Sequence, residues 1–457
     1  MRIACRPALA LLLPALLFGQ SPSGMQEILD RLQRLEDQNK ELMTEIRALR
    51  QELESRNAPA ATPPAQPPPP ETAAAPAQAP PLQERVAVNE QRIQDLSQSK
   101  VEAEHKLPVR LTGMLLFNAF ANGRNSGGLQ YPTIAAPAAG PVAEGATVRQ
   151  SILGLSFDGP TLVGGGKASG SLLLDLWGGS GSSLNQLVRL RVATLDLTWG
   201  NTTFTVGQDK PIIAPRDPTS LAQVAFSPLT AAGNLWLWQP QARLEHHFLF
   251  GRQTGLRAQF GLYQTNEGGN SAPAGYISGS ARPGYEGRFA FWHDFGDGRR
   301  IEIAPGFHAS QSHVEGVTVP SRVFSLDWLM QPARAVDFTG AFFTGENVGV
   351  LGGLRQGISL NDYDRIRATA AIGGWGQITV RPTSRLSFNV YAGEEDDRNS
   401  DLAPGAIGRN FTYAGNVIYR LGSNVLASFE AAQTRTMYIG TGLRLNPHYD
   451  LALAYLY

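Results

Sequence analysis

The sequence predicts an all-β fold: a 16-stranded antiparallel transmembrane β-barrel preceded by a signal peptide, a coiled-coil helix and a Pro/Ala-rich spacer. Three observations predict it. From Leu107 to Tyr457 the chain is dominated by segments of period-two alternation, each roughly nine to twelve residues long and separated by Gly, Pro, Asn and Asp, which is the pattern of membrane-crossing strands. No stretch approaches the ~18 consecutive apolar residues of a spanning helix, so whatever enters a bilayer here enters as strands. The segment Tyr449 to Tyr457 puts Tyr449, Leu451, Leu453, Tyr455 and Tyr457 on one face. Such a strand has an edge that must pair, and a closed barrel pairs it with the first strand, Arg110 to Phe120.

Each element follows in order. Residues 1–20 read as a secretory signal, because Arg2 and Arg6 precede an apolar run, Ala8 to Phe18, that is too short to cross a bilayer as a helix. The single cysteine, Cys5, lies in that signal, so the exported chain has no disulfide framework. Residues 25–56 carry Met25, Ile28, Leu32, Leu35, Asn39, Leu42, Ile46, Leu49 and Leu53 at alternating steps of three and four, which is a coiled-coil seam. With Met25 at a, the pairs Arg31 with Glu36 and Glu45 with Arg50 fall where parallel chains attract. Leu29 and Met43 widen the apolar stripe and suit a homotrimer, while Asn39 at a also suits a dimer. The plainer reading is one amphipathic helix packed on its own domain. Residues 57–81 are almost wholly Pro and Ala and form an extended, solvated spacer. Residues 82–106 form a second short helix, with Leu82, Val86, Asn89, Ile93 and Leu96 at heptad steps.

Residues 107–457 are the barrel. Tight turns at Gly200-Asn201, Gly251 to Gln253, Gly296 to Gly298, Pro332-Ala333, Pro382-Thr383 and Gly422-Ser423 alternate with long loops at Asn122 to Ala146, Thr265 to Arg282, Gly345 to Asp364 and Glu394 to Arg409. Short turns on one side and long loops on the other mark a membrane barrel. A stalk and a C-terminus on the same side require an even strand number, so Asn424 to Tyr438 counts as one strand and His448 to Tyr457 as the last. The seven tryptophans fall near expected strand ends, where indoles favour the membrane interface.

About sixteen strands leave a lumen too wide for side chains to fill. No plug-sized domain precedes the barrel. The stretch Gln208 to Leu235 carries Pro211, Pro215, Pro218 and Pro228 among Ile212, Ile213, Leu221, Val224 and Phe226, too apolar to hang in water, and folding it into the lumen would bury it. Of the barrel's basic residues 25 are Arg, Lys167 and Lys210 are the two Lys, and 25 acids balance them, so placement matters more than net charge. Strand phase puts Arg110, Arg243, Arg257, Arg288, Arg385 and Arg420 on the inner face. The candidate constriction and solute contacts are Asp209, Lys210, Arg216 and Asp217 on the inward loop with Arg243, Arg257, Arg288 and Arg385 on the wall. Guanidiniums in a narrow pore attract anions and fork onto carboxylates. Alternatively they pair with lumen acids such as Glu245, Glu286, Asp294, Asp337 and Glu430 and stiffen the wall. Glu394 to Asp397 read as a solvated acidic loop, or as a divalent-cation site near lipopolysaccharide.

No catalytic or metal constellation accompanies this pattern. His246 and His247 point to opposite faces of a strand, His308 and His313 lack companion ligands, and Gly164 to Gly166 form a turn. The expectation is no enzyme, no metal and no cofactor; balanced charge argues against a nucleic-acid partner.

The signal followed by a coiled-coil stalk and spacer, the first strand Val109 to Asn118, and Thr205-Val206-Gly207-Gln208 leading into the long loop resemble the outer-membrane porins of the DcaP-like and phosphate-selective porin O/P families. The resemblance implies homotrimers of sixteen-stranded pores in the bacterial outer membrane, contacting its lipid, with the stalk in the periplasm. It implies passive diffusion of small hydrophilic solutes, neutral or preferably anionic. A phosphate-selective member would carry a lysine-rich constriction; with two Lys here, small carboxylates fit better. The alternative is a structural anchor whose stalk ties the barrel to peptidoglycan or a periplasmic partner.

Overall fold

The computed structural model describes residues 109–179, 186–264, 278–360 and 365–457. The expected signal peptide, coiled coil, spacer and second helix all lie outside the described residues.

Sixteen antiparallel strands close into a barrel. They are β1 (Val109–Asn122), β2 in two segments (Ala143–Thr147 and Ile152–Thr161), β3 (Lys167–Gly178), β4 (Leu187–Trp199), β5 (Thr202–Asp209), β6 (Gln239–Leu249), β7 (Thr254–Tyr263) and β8 (Ser278–Gly296). There follow β9 (Arg299–Val314), β10 (Val317–Ala333), β11 (Val336–Glu346), β12 (Ala370–Thr383), β13 (Leu386–Asp397), β14 (Ile407–Arg420), β15 (Val425–Tyr438) and β16 (Gly442–Leu456). The two segments of β2 share one place in the barrel, pairing with successive halves of β1. Closure is between β1 and β16, from Met114 opposite Leu456 to Asn122 opposite His448. Closure leaves no free sheet edge.

The alternation read from the sequence sorts side chains as expected. Along β1, Leu115 and Phe117 are exposed on the outer face while Leu116 and Asn118 are fully buried, and along β16 Tyr449, Leu451, Leu453 and Tyr455 face out. Polar side chains such as Asn118, Gln377, Asn389 and Asn416 point inward.

Three expectations need correcting. The last strand begins at Gly442, not His448, because Ile439 to Thr441 make the turn; Val425–Tyr438 is one strand, as expected for Asn424 to Tyr438. Glu394 to Asp397 is no loop, since β13 runs through it with Glu395 and Asp397 buried on the inner face and Glu394 and Asp396 on the outer. Trp177, Trp236 and Trp375 are buried inside the barrel instead of sitting at the membrane interface. The loop cores need large apolar partners, and these indoles supply them.

Candidate functional site

The segment 210–238 between β5 and β6 turns into the lumen. Just before it, near the end of β5, Gly207 lets the backbone press against β4: its φ is +141°, and a Cβ there would stand 1.9 Å from the Ala193 carbonyl oxygen. The loop then touches wall after wall. The Ile212 N–H donates to Tyr263 Oη on β7 at 2.6 Å, and the Thr219 N–H to Gln377 Oε1 on β12 at 2.6 Å. Ser220 Oγ donates to Glu430 on β15 at 2.6 Å, and Asn118 Nδ2 on β1 donates to the Leu221 carbonyl at 2.9 Å. Gln150, between the segments of β2, donates to the Ala222 carbonyl at 2.8 Å and accepts from the Val224 and Ala225 N–H groups at 2.8 and 2.9 Å. Ile213, Ala214 and Leu235 pack with Val348, Val350 and Leu351 of the segment between β11 and β12. Burial of these apolar side chains and satisfaction of the loop's backbone groups by wall side chains fix the loop across the lumen.

Spaces lie on two sides of it. On the side of the long loops a cavity of about 560 Å³ is lined by Tyr131, Trp177, Arg189, Phe226, Trp236 and Arg355, among others. On the side of the tight turns a polar recess of about 270 Å³ is lined by Arg216, Asp217, Thr219, Asp337, Gln377 and Arg381, among others.

Seven of the eight residues singled out in the sequence come together around the loop, each with an opposite charge. Lys210 is paired with Asp217, and Arg243 reaches Asp209 at 2.9 Å. Arg216 meets Glu302 at 2.6 Å and Asp327 at 3.1 Å, and Arg257 meets Glu302 at 3.2 Å. Arg288, fully buried, forks onto Asp327 at 2.7 and 2.8 Å and touches Glu302 at 3.0 Å. Of the two sequence readings, this geometry matches wall-stiffening ion pairs. The dominant partners, Glu302 and Asp327, are not among the acids the sequence singled out.

Arg385 is not brought there. It lies exposed in the tight turn between β12 and β13, because that turn is Ser384-Arg385 and leaves Arg385 outside the strand. Arg420 ends β14 in an exposed position, and Arg110 pairs with Asp158 where both side chains are more than half exposed, a pair worth about 0 to 1 kcal/mol.

Sequence reasoning missed the most basic group. Arg189 and Arg191 share one buried carboxylate, Asp175, at 2.6 Å and 3.8 Å, and Arg149 stands beside them on Trp177. Their guanidiniums lie on aromatic faces: Arg149 over Trp177 at 4.4 Å, Arg189 over Trp238 at 5.2 Å and over Phe226 at 5.5 Å, and Arg191 over Trp238 at 4.7 Å. Each such contact is worth about 0.5 to 2 kcal/mol. The aromatics brace one another edge to face, from Trp177 to Phe226, Trp236 and Trp238, with centroids 5.0 to 5.9 Å apart. Arg189 and Arg191 share Asp175, so among the described residues this pair keeps net positive charge, and Arg189 also lines the larger cavity. The signal was available: Val188-Arg189-Leu190-Arg191 alternates apolar with basic, placing both guanidiniums on the inner face.

No family model and no curated protein matches the chain. Among solved structures it is similar to the outer membrane channel DcaP of Acinetobacter baumannii, with 14% identity and a TM-score of 0.64 over 78% of this chain and 98% of that chain. It is also similar to the anion-selective porin from Comamonas acidovorans, with 13% identity and a TM-score of 0.51 over 77% of this chain and 100% of that chain. At these identities the likeness is one of fold: the chain has the sixteen-stranded barrel fold of the outer-membrane porins.

Proposed function

We propose that the protein is a passive channel of the bacterial outer membrane for small hydrophilic solutes, with a preference for anions. The observation that carries this reading is the pair Arg189 and Arg191 on Asp175 beside the cavity above the inward loop. A positive group in a confined, low-dielectric passage draws anions, and planar guanidiniums match the two oxygens of a carboxylate. The positions expected from sequence to select solute, Lys210, Arg216, Arg243, Arg257 and Arg288, spend their charge on neighbouring acids. In this reading selection rests on the arginine group, small carboxylates are the preferred class, and the paired residues hold the loop and wall in shape. The stalk expected over residues 25–106 serves trimer assembly on the periplasmic side.

Purified full-length protein should give stepwise conductance in a planar bilayer. A chain lacking Met25 to Glu104 should conduct equally per barrel while its trimers dissociate at lower temperature. Trimers that insert without conducting would sink the proposal.

A further inference from the structure

The outer face of β10 to β14 carries a trough. Two hollows of about 530 and 360 Å³ share Trp328, Gly376 and Ala392 and therefore run into one another. Gly374, Gly376 and Ala392 form the floor, and Trp328, Phe342 and Ile372 rise beside it, all in the outward phase of their strands. A Cβ at Gly376 would meet nothing within 4 Å, so the floor is open. Toward the end opposite the tight turns the lining changes to Glu394 and Asp396. Arg409 is the cross-strand partner of Asp396, and Arg435 that of Phe411, which borders Glu394. Among the described residues, hydrogen bonds and ion pairs join none of these four charged side chains to a partner.

Charges on the lipid-facing phase are unfavourable in hydrocarbon and tolerated near the headgroups. Four of them at one end of an apolar trough call for a lipid whose head is charged. Arginines fork onto phosphate, whereas carboxylates beside a phosphate need a hard divalent cation between them. We propose that this trough binds a phosphorylated glycolipid of the outer leaflet, one acyl chain lying over Gly374, Gly376 and Ala392, its phosphate on Arg409 and Arg435, and a divalent cation bridging it to Glu394 and Asp396. The inference rests on the outer-membrane reading above, and it is independent of solute selection inside the barrel.

The test is native mass spectrometry of the full-length protein in detergent, titrated with bisphosphorylated lipid A with and without Mg²⁺, and with its dephosphorylated form. One lipid A per subunit is expected, strengthened by Mg²⁺ and lost with dephosphorylation. Arg409→Ala with Arg435→Ala should weaken binding about tenfold or more. Gly376→Leu, which fills the floor, should weaken lipid A binding with and without Mg²⁺, and Glu394→Gln with Asp396→Asn should abolish the Mg²⁺ effect. Planar-bilayer conductance, read on the same preparations, should not change, which separates this proposal from the channel itself. Equal binding of both lipid forms, or wild-type binding by the arginine variant, would overturn it. So would a Gly376→Leu protein whose oligomer falls apart while lipid binding persists, since the trough would then be a contact between copies.

Discussion

Asp175 is 1% exposed, and it organises charge that would otherwise repel. With Arg189 and Arg191 both on its carboxylate, the two guanidiniums can stand close without spreading apart. Replacing both by Gln should reduce anion preference in a salt-gradient potential and also lower the melting temperature, because it leaves the buried Asp175 carboxylate without its two cations. Arg288 acts on stability alone. Arg288→Ala leaves Glu302 and Asp327 short of a buried partner, and a loss of about 3 to 5 kcal/mol is expected, read as a lower melting temperature of the folded barrel. Its effect on selectivity should be small. The sequence displayed Arg189 and Arg191 as plainly as Arg257 and Arg288; which of them keep free charge depends on Asp175, Trp238, Glu302 and Asp327, brought from other strands and the inward loop. That partition is a property of tertiary pairing, invisible in strand phase alone.

The inward loop is the element on which the proposed pathway depends. Its apolar content announced that it folds inside, because Ile212, Ile213 and Leu221 cannot remain in water. Its anchors did not announce themselves, being single polar residues scattered over β1, β7, β12 and β15. Gln150 holds three backbone groups of the loop at once. Gln150→Ala should orphan them, at about 1 to 3 kcal/mol for each buried group that stays dry, and release this stretch of the loop. Single-channel recordings should show larger, noisier conductance. Leu229 and Ala231 hold left-handed φ values of +62° and +58° in the same loop, a strain kept in place by burial and by the Asn410 bond to the Ala231 carbonyl at 2.7 Å. At strand ends the sequence was least legible. Glu394 to Asp397 look like a loop by composition, yet pairing with β12 and β14 extends β13 through them and separates their side chains to opposite faces.

For the barrel as a whole, alternation, turn chemistry and parity made sixteen strands readable before any pairing was known. Closure is directly testable, because Cys5 is the single cysteine of the chain. Leu115 and Tyr455 are opposite one another across the β1–β16 seam, both facing outward. A Leu115→Cys, Tyr455→Cys protein should form a disulfide within one chain, seen as a mobility change on a non-reducing gel. Cross-linking between chains, or none, would mean that the seam is not closed as described. The proposed anion preference is the part furthest from the sequence, since the 25 arginines and 25 acids of residues 107–457 conceal any such bias. The reversal potential of the full-length protein across a potassium chloride gradient measures it most directly. An anion-preferring channel gives a potential with the sign of the chloride equilibrium potential, reduced toward zero by Arg189→Gln with Arg191→Gln; a potential with the potassium sign, or one that this pair of substitutions leaves unchanged, would contradict the proposed anion preference.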